Sequence, residues 1–327
     1  MSANDRPTTA TAVVPVFNEE ENLEGLYDRL APVLDAAFDD WEILFVDDGS
    51  TDRSASVIRR LRERDSRVCA IRLAKNVGSH LALAAGLDHA TGDVTVILAA
   101  DLQDPPEVIP DFVARWREGY EIVWGARESR DDPPVRAFLS RLFYTVIRRT
   151  ALPNIPAQGT GSFCLLDRAA VDAVRRARER NRFTLGLVSW LGFAQTRVPY
   201  KRAGRQAGRS KWSLRARVKL AVDIFVSFSY LPIRVISYFG MLVSVFAFAF
   251  LVYVVIDWVV AGTTLRGWPS IMVAILFFGG VQLVTLGILG EYVWRIAEEA
   301  RGRPLYVVRE LLGVEAQLDP EHSPRPA

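Results

Sequence analysis

Short apolar runs alternate with amphipathic segments over residues 11–125 of the chain. The runs have the length and residue types of buried strands, and the segments between them carry apolar residues at helical spacing. This alternation predicts an α/β fold with a mostly parallel sheet and helices on both faces. The predicted strands are "TAVVPVF", "WEILFVD", "VCAIRLA", "DVTVILAA" and "EIVWGA", and the predicted helices lie near residues 20–37, 53–64 and 79–89 and after Pro106.

Polar side chains follow each predicted strand. In open α/β sheets, ligands bind beyond the carboxyl ends of the strands, so polar groups at successive ends favour a single ligand site. Asn and Asp also cap helices, and any one of these positions is compatible with that role. The candidates are Asn18 and Glu19, Asp47 and Asp48, Asn76, Asp101 to Asp104, and Arg127.

The first strand runs into "PVFNEEEN", which contains no glycine. A dinucleotide-binding turn and a P-loop are therefore excluded at this position. A ligand site that is lined by acids and lacks a glycine-rich turn indicates a nucleotide held by side-chain hydrogen bonds, with its diphosphate bound through Mg²⁺ or Mn²⁺. We expect Asp101 and the Gln103 amide oxygen to bind that metal, and Arg127 to neutralise the same diphosphate.

Two uncharged stretches, Val235–Ile256 and Gly267–Gly290, lie near the C-terminus. Each exceeds the roughly 20 residues that cross a bilayer as a helix. Buried core helices are the alternative, but the short connection favours a transmembrane hairpin with helices over 235–260 and 268–291. Basic residues flank its outer ends (Arg234, Arg295, Arg301 and Arg303) against Arg266 alone in the loop, which predicts cytoplasmic chain termini. The start "MSANDRPTTA" has no apolar segment, so we expect no cleaved signal peptide and a disordered segment over residues 1–10.

The net charge of +2 is uninformative, but its distribution is not. Residues 197–219 carry nine Lys or Arg and no acid just before the membrane. This favours anionic headgroups or a phosphate-bearing lipid as partner, with a solvated linker as the alternative. We expect no nucleic-acid partner. Cys69 and Cys164 lack metal or redox spacing and are expected to be free thiols.

Several motifs in order carry a resemblance to a known family. They are "VVPVFNEEENL", "FVDDGSTDRS", "NVGSHLALAAG", "ADLQDPPE", "WGAR", "GRSKWSLRARVKLAVDIFVSFSYLPIR" and "GRPLYVVRE". Over about residues 11–310 the chain resembles the family 2, GT-A-fold glycosyltransferases that move a sugar from a nucleotide to polyprenyl phosphate. Bactoprenol glucosyltransferases and dolichol-phosphate mannosyltransferases form this group.

The resemblance implies roles for individual residues. Asp101, Arg127 and Ser162 are the catalytic candidates, and Asp101 and Gln103 belong to the metal site. The nucleotide pocket is expected to contain Pro15, Glu19, Asp47, Asp48 and Asn76. Phosphate groups are expected at Arg127, Arg202, Arg205, Ser210 and Lys211.

The resemblance also implies an organisation. The cytosolic catalytic domain spans 11–211, amphipathic juxtamembrane helices span 212–234, and a cytosolic segment with a polar tail spans 292–327. A homo-oligomer, specifically a tetramer, is implied as well.

The chain departs from the family pattern at two positions. The family's "DADLQ" is Ala99, Ala100, Asp101, Leu102 and Gln103 here, so the first acid is missing. The family's "GDFRL" begins Gly161, Ser162 here, so Ser162 replaces an acid proposed as catalytic base. An acceptor phosphate monoester, with a second pKa of about 6, is already a nucleophile at neutral pH. We therefore predict that the enzyme is active.

The predicted reaction is an inverting transfer at the cytosolic face of a bacterial inner membrane. UDP-glucose is the favoured donor and GDP-mannose the next, undecaprenyl phosphate is the acceptor, and the product serves cell-envelope glycan assembly. A processive polysaccharide synthase is one alternative, although the chain has two predicted spans and no "QxxRW". A non-catalytic membrane adaptor that keeps the nucleotide-sugar pocket is the other.

Overall fold

A computed structural model describes residues 8–127, 160–177, 183–202, 231–261 and 267–314, together with Thr145, Arg149 and Glu179. The chain divides into two compact units. The first comprises Met1–Ser213 and Pro304–Ala327, and the second comprises Leu214–Arg303. The chain therefore leaves the first unit, passes through the second and returns to the first.

An eight-stranded sheet organises the first unit, in the order β7-β5-β6-β4-β1-β2-β3-β8. Among the described residues, parallel pairs join β1 to β2 and β4, β2 to β3, and β5 to β7, whereas β6 and β8 pair antiparallel with their neighbours. This confirms the predicted α/β class and mostly parallel sheet. The strands are β1 (Thr9–Val16), β2 (Asp40–Asp47), β3 (Val68–Leu73), β4 (Val94–Ile97), β5 (Ile122–Arg127), β6 (Thr160–Asp167), β7 (Gln195–Tyr200) and β8 (Val308–Leu312).

The sequence pattern identified β1 to β5 but not the last three strands. Strand β6 lies antiparallel between β4 and β5, so β5 still runs in the direction of β4. The carboxyl ends of β1 to β5 and β7 consequently meet at one edge of the sheet, where β6 begins. Because of this arrangement, residues from distant parts of the chain reach the same edge.

Helices of the first unit cover the sheet through apolar faces. Helix α1, for example, buries Leu23, Leu26, Leu30 and Leu34, which recur at helical spacing. Helix α3 approaches β1 so closely that a Cβ on Gly86 would lie 2.3 Å from Val13 Cγ1. The helices are α1 (Leu23–Ala37), α2 (Ser54–Arg64), α3 (Ser79–His89), α4 (Ile109–Arg117), α5 (Arg168–Arg176) and α6 (Thr184–Trp190), with a 3₁₀ turn at Pro106–Val108 before α4.

The described part of the second unit consists of two long helices, α7 (Leu231–Ala261) and α8 (Trp268–Ala300). They form over the two predicted spans. Within the described residues, Phe277–Ala300 is long and apolar enough to cross a membrane, and α7 contains the shorter apolar stretch Ile236–Phe250. The two-span hairpin stays a prediction.

Candidate active site

Asp48 connects two loops at the ligand edge of the sheet. Its Oδ1 accepts a hydrogen bond from the Val77 amide (2.7 Å), and its Oδ2 accepts one from the Gly78 amide (2.9 Å). Burial raises the pKa of Asp48, although these two hydrogen bonds oppose the shift. The side chain therefore fixes the loop after β3 beside the end of β2.

Asp47 is buried one residue earlier and also has structural partners. Its Oδ1 accepts a hydrogen bond from the Ser50 amide at 2.8 Å. Its Oδ2 lies 3.3 Å from Arg72 Nε, close enough for an ion pair but not aligned for a hydrogen bond. Asp47 shapes the turn after β2, and its role toward a nucleotide stays a prediction.

The loop after β1 contacts the loop after β2. Asn18 has a positive φ of 53°, and its Oδ1 accepts a hydrogen bond from the Thr51 amide at 2.8 Å. The Glu19 amide donates to Ser54 Oγ at 3.0 Å, which holds Glu19 at the same edge. Pro15 precedes them in β1, beyond Val13, where the pairing with β4 ends. A strand position without a partner on that side tolerates the missing N–H of proline.

Asn76 is exposed in the loop after β3. Its backbone packs against Gly49, where an added Cβ would lie 2.8 Å from the Asn76 nitrogen. Gly49 also has a φ of +68°, so a side chain there would be both strained and obstructed. The predicted nucleotide-binding residues thus share one set of interlocked loops.

The turn after β4 carries the proposed metal ligands. Leu102 is buried and has a positive φ of 57°. Asp101 Oδ1 accepts a hydrogen bond from the backbone N–H of Gln103 at 3.3 Å. No group of three His, Cys, Asp or Glu among the described residues could hold a metal ion by itself. Asp101 and Gln103 offer two oxygen ligands of the type that Mg²⁺ and Mn²⁺ prefer, so a cation here would need further oxygens, such as those of a diphosphate.

Two arginines at the ends of different strands, Arg127 in β5 and Arg202 just after β7, lie around a buried acid. Asp104 is 1% exposed. Its Oδ1 accepts a hydrogen bond from the Tyr200 hydroxyl at 2.5 Å, and it lies 3.7 Å from Arg127 Nη2 and 3.7 Å from Arg202 Nε. Arg202 also reaches Asp101, with 4.0 Å between Nη2 and Oδ2. Two of the predicted phosphate-binding residues therefore lie around Asp104, and one of them, Arg202, also lies beside the predicted metal ligand Asp101.

Ser162 lies near the start of β6, at the same edge and partly buried. Ala99 follows β4 and is also partly buried. Both positions where the family pattern has an acid therefore belong to the site region. Arg205, Ser210 and Lys211 lie outside the described residues. Of the juxtamembrane helices predicted over 212–234, residues 212–230 also lie outside them, and residues 231–234 belong to α7.

The sequence placed Asp104 in the polar cluster after β4 but gave it no role, and it did not identify Tyr200 as a site residue. Asp104 belongs to a quoted motif, "ADLQDPPE", but Tyr200 ends a strand that the pattern did not predict. The two are 96 residues apart in the chain. Only the adjacency of β5 and β7 brings Tyr200 to this edge.

Comparison with known proteins identifies the family. Residues 11–175 match the family model described as Glycosyl transferase family 2. The chain belongs to glycosyltransferase family 2. This confirms both the resemblance and the prediction that the protein is a glycosyltransferase.

Individual relatives extend the match over nearly the whole glycosyltransferase. The chain is 41% identical over 304 residues to an uncharacterized glycosyltransferase of Synechocystis sp., and the match covers 93% of this chain and 95% of that protein. It is 38% identical over 299 residues to the SfII prophage-derived bactoprenol glucosyl transferase of Shigella flexneri, covering 91% and 96% respectively. A solved glucosyl-3-phosphoglycerate synthase from Mycobacterium tuberculosis, in complex with Mn²⁺, UDP and glucosyl-3-phosphoglycerate, is 20% identical, with a TM-score of 0.47 and coverage of 67% of this chain and 79% of that one.

Proposed function

We propose that this glycosyltransferase moves a sugar, in the first instance glucose, from a nucleotide donor to polyprenyl phosphate with inversion at the anomeric carbon. The acceptor and sugar class are supported by the Shigella flexneri bactoprenol glucosyl transferase, which matches over 91% of this chain. The observation that carries the proposal is structural: the interlocked loops, Asp101 and the two arginines meet at one edge of the sheet. That edge provides both a nucleoside pocket and a phosphate site.

The donor's nucleoside end belongs with the loops after β1, β2 and β3. Asp48 and Asn18 hold these loops together through backbone amides, at 2.7 Å to Val77 and 2.8 Å to Thr51. Such contacts orient Glu19 and Asn76 before a nucleotide arrives, which reduces the entropy that binding costs. UDP-glucose is the favoured donor and GDP-mannose the next.

The departing diphosphate belongs with the turn after β4 and the arginines. Bond cleavage places negative charge on the leaving nucleotide, and Arg127 supplies positive charge there, with Arg202 beside it for a phosphate of either substrate. When bound by Asp101 and Gln103 together with the diphosphate, Mg²⁺ or Mn²⁺ would neutralise a further part of that charge. Arg127 is the better shielded cation, since its side chain is 12% exposed against 35% for Arg202.

The acceptor does not need a strong base. A lipid phosphate monoester is largely dianionic at neutral pH and attacks through its own oxygen. A serine at position 162, where the family pattern has an acid, is compatible with this chemistry. Ser162 is proposed to position a phosphate or the sugar through its hydroxyl.

A membrane location places the enzyme where its lipid acceptor resides. The chain enters the helical unit from the catalytic sheet and returns to that sheet through β8, which pairs with β3. Both ends of the helical unit are therefore in the same compartment, so any crossings of the membrane must be even in number. One span at Phe277–Ala300 then requires another, and this supports the proposed two-span hairpin at the cytosolic face.

The test is transfer by the full-length protein in detergent or vesicles. Labelled UDP-glucose, GDP-mannose and a panel of other nucleotide sugars are each supplied with undecaprenyl phosphate and Mg²⁺ or Mn²⁺. We expect a lipid-phosphate glucose product and release of UDP. Absence of product with every donor at saturating metal would favour the non-catalytic adaptor, and a polymeric product would favour the processive synthase.

A further inference from the structure

Asp104 is a buried acid to which the reaction as proposed gives no role. It is 1% exposed, and a carboxylate at such a position is costly unless its charge is compensated. Compensation comes from both sides, since Arg127 and Arg202 each place a guanidinium nitrogen 3.7 Å from Asp104 Oδ1. One carboxylate oxygen is thus shared by two arginines that belong to different strand ends.

The two arginines disfavour each other in the absence of this acid. The pKa of Arg202 is lowered, first by burial and then by the positive charge of Arg127. Two like charges that repel each other separate unless an opposite charge holds them. Asp104 is the buried acid that lies within ion-pair distance of both.

Tyr200 fixes the acid in turn. Its hydroxyl donates to Asp104 Oδ1 at 2.5 Å, while Arg127 Nε donates to the Tyr200 oxygen at 3.4 Å. Burial raises the pKa of Tyr200, and the charge of Asp104 and the hydrogen bond to it raise it further. The hydroxyl therefore stays protonated and keeps donating throughout the neutral range.

The geometry differs from that of two hydrogen-bonded ion pairs elsewhere in the described chain. Arg29 binds Glu107 through two hydrogen bonds of 3.0 and 2.8 Å, and Arg59 binds Glu310 through two of 3.0 and 2.7 Å. At 3.7 Å, neither arginine of the Asp104 cluster hydrogen-bonds the acid. Asp104 Oδ2 is buried and has no hydrogen-bond partner among the described residues. The acid attracts both guanidinium groups without occupying their N–H donors.

We propose that Asp104, held by Tyr200, positions Arg127 and Arg202 as one two-arginine clamp for a phosphate group of the substrates. The proposal rests on the function proposed above, because a phosphate-bearing substrate must enter this edge. Asp104 is a positioning residue: it acts through the arginines and does not itself contact phosphate. The phosphate can be the donor's diphosphate or the phosphate of the lipid acceptor, which share the same chemistry.

The experiment measures binding by calorimetry with full-length protein in detergent. Ligands are UDP and UMP at fixed Mg²⁺, with GDP and GMP in parallel, and a short-chain polyprenyl phosphate with the corresponding prenol. The variants are Asp104→Asn, Tyr200→Phe, Arg202→Gln and the double variant Asp104→Asn/Arg202→Gln. Glu107→Gln is the matched control, since it removes an acid from the same motif, at an exposed ion pair.

The sign of the change in affinity for Asp104→Asn, and the ligand that it affects, separate three roles of the acid. Removing an acid adds net positive charge, so a purely electrostatic effect would tighten phosphate binding. If the arginines instead lose their position, the ligand whose phosphate they hold should bind about tenfold more weakly. Binding of UMP and of the prenol should change little. Loss confined to UDP or GDP assigns the clamp to the donor, and loss confined to the polyprenyl phosphate assigns it to the acceptor. Tyr200→Phe should show the same selectivity at smaller size.

The double variant completes the test. If Asp104 acts through Arg202, Asp104→Asn should add much less to the loss in an Arg202→Gln background than it causes alone. Additive losses, tighter binding, or an equal loss for UDP and UMP would overturn the positioning role. If Asp104→Asn fails to fold, the selectivity of Tyr200→Phe decides in the same way. Failure of the unmodified protein to bind any nucleoside diphosphate or polyprenyl phosphate would instead overturn the proposed function.

Discussion

Ile97, the last residue of β4, pairs with Cys164 of β6 in antiparallel register. Ala99 lies two residues beyond Ile97, after the end of β4, and Ser162 lies two residues before Cys164 in β6; both are partly buried. Both departures from the family's acids therefore lie just past the last β4–β6 pair, at the same end of the two strands. Neither position carries a negative charge in this chain, so Asp101 is the acid that remains of the family's "DADLQ" pattern.

Restoring the acid at position 99 should strengthen cation binding. An added anionic oxygen near Asp101 favours a hard divalent cation, so Ala99→Asp should lower the Mg²⁺ or Mn²⁺ concentration that gives half-maximal transfer. Ala99→Asn is the control, since it adds similar volume without charge and should move that concentration less. Identical metal titrations for the unmodified enzyme and Ala99→Asp would show that position 99 does not face the cation.

Asp101 and Ser162 should differ in their importance for turnover. Asp101→Asn removes the one carboxylate of the proposed metal pair and should reduce kcat by about 10³-fold or more, on the scale of lost charge stabilisation. Ser162→Ala should cost about tenfold or less, because the anionic acceptor needs no strong base. Steady-state kinetics at saturating metal rank the two variants. A greater loss for Ser162→Ala would give its hydroxyl an essential role.

The sequence predicted the part of the fold that local patterns encode. Helix α3 was expected near residues 79–89 and spans Ser79–His89, because its ends coincide with a loop glycine and with the next turn. Strand β8 was missed because its five residues, "VRELL", carry no distinctive pattern and pair with β3 from far along the chain. Pairing partners of this kind depend on tertiary contacts rather than on local propensity.

The site was predictable to the same extent. Residues at the ends of β1 to β5 could be assembled from the rule that parallel strands share an edge. Asp104 stands between Gln103 and Pro105 in a recognisable motif, yet nothing local indicates that it is buried or that Tyr200 is its donor. Tyr200 and Arg202 come close to Asp104 only when β7 is placed beside β5.

His80 should make stability depend on pH. Its Nδ1 is buried without a hydrogen-bond partner among the described residues, its ring packs edge-on against Phe183 at 4.7 Å, and burial lowers its pKa to about 4. The unfolded chain, with a histidine pKa of about 6.5, therefore binds the proton first as pH falls. The contribution of the neutral His80 side chain to stability is therefore present above about pH 6.5 and is lost as the pH falls toward 4.

The variant His80→Phe should remove this loss. Phe cannot be protonated. Between pH 6.5 and pH 4, the decrease in the free energy of unfolding should therefore be about 2 kcal/mol smaller in the variant than in the unmodified protein. Denaturant unfolding in detergent at several pH values measures the difference. Parallel pH profiles for the two proteins would mean that His80 titrates as an exposed histidine does.

The pairing of β8 with β3 makes the membrane topology testable with cysteine labelling. Both native cysteines are buried, Cys69 at 4% and Cys164 at 0% exposure, so background labelling should be low. Thr264→Cys lies in the connection between α7 and α8 and should react with a membrane-impermeant maleimide added to intact cells.

The matched control is Val307→Cys, which lies between α8 and β8 where the native side chain is 51% exposed. It should react only after the cytoplasmic membrane is permeabilised, because β8 belongs to the same sheet as the catalytic site. Nucleotide sugars are made in the cytosol, so labelling of Val307→Cys in intact cells would separate the site from its donors and refute the proposed orientation. Protection of Thr264→Cys in intact cells, with Val307→Cys also protected, would instead leave the helices on one face of the membrane and refute the two-span hairpin.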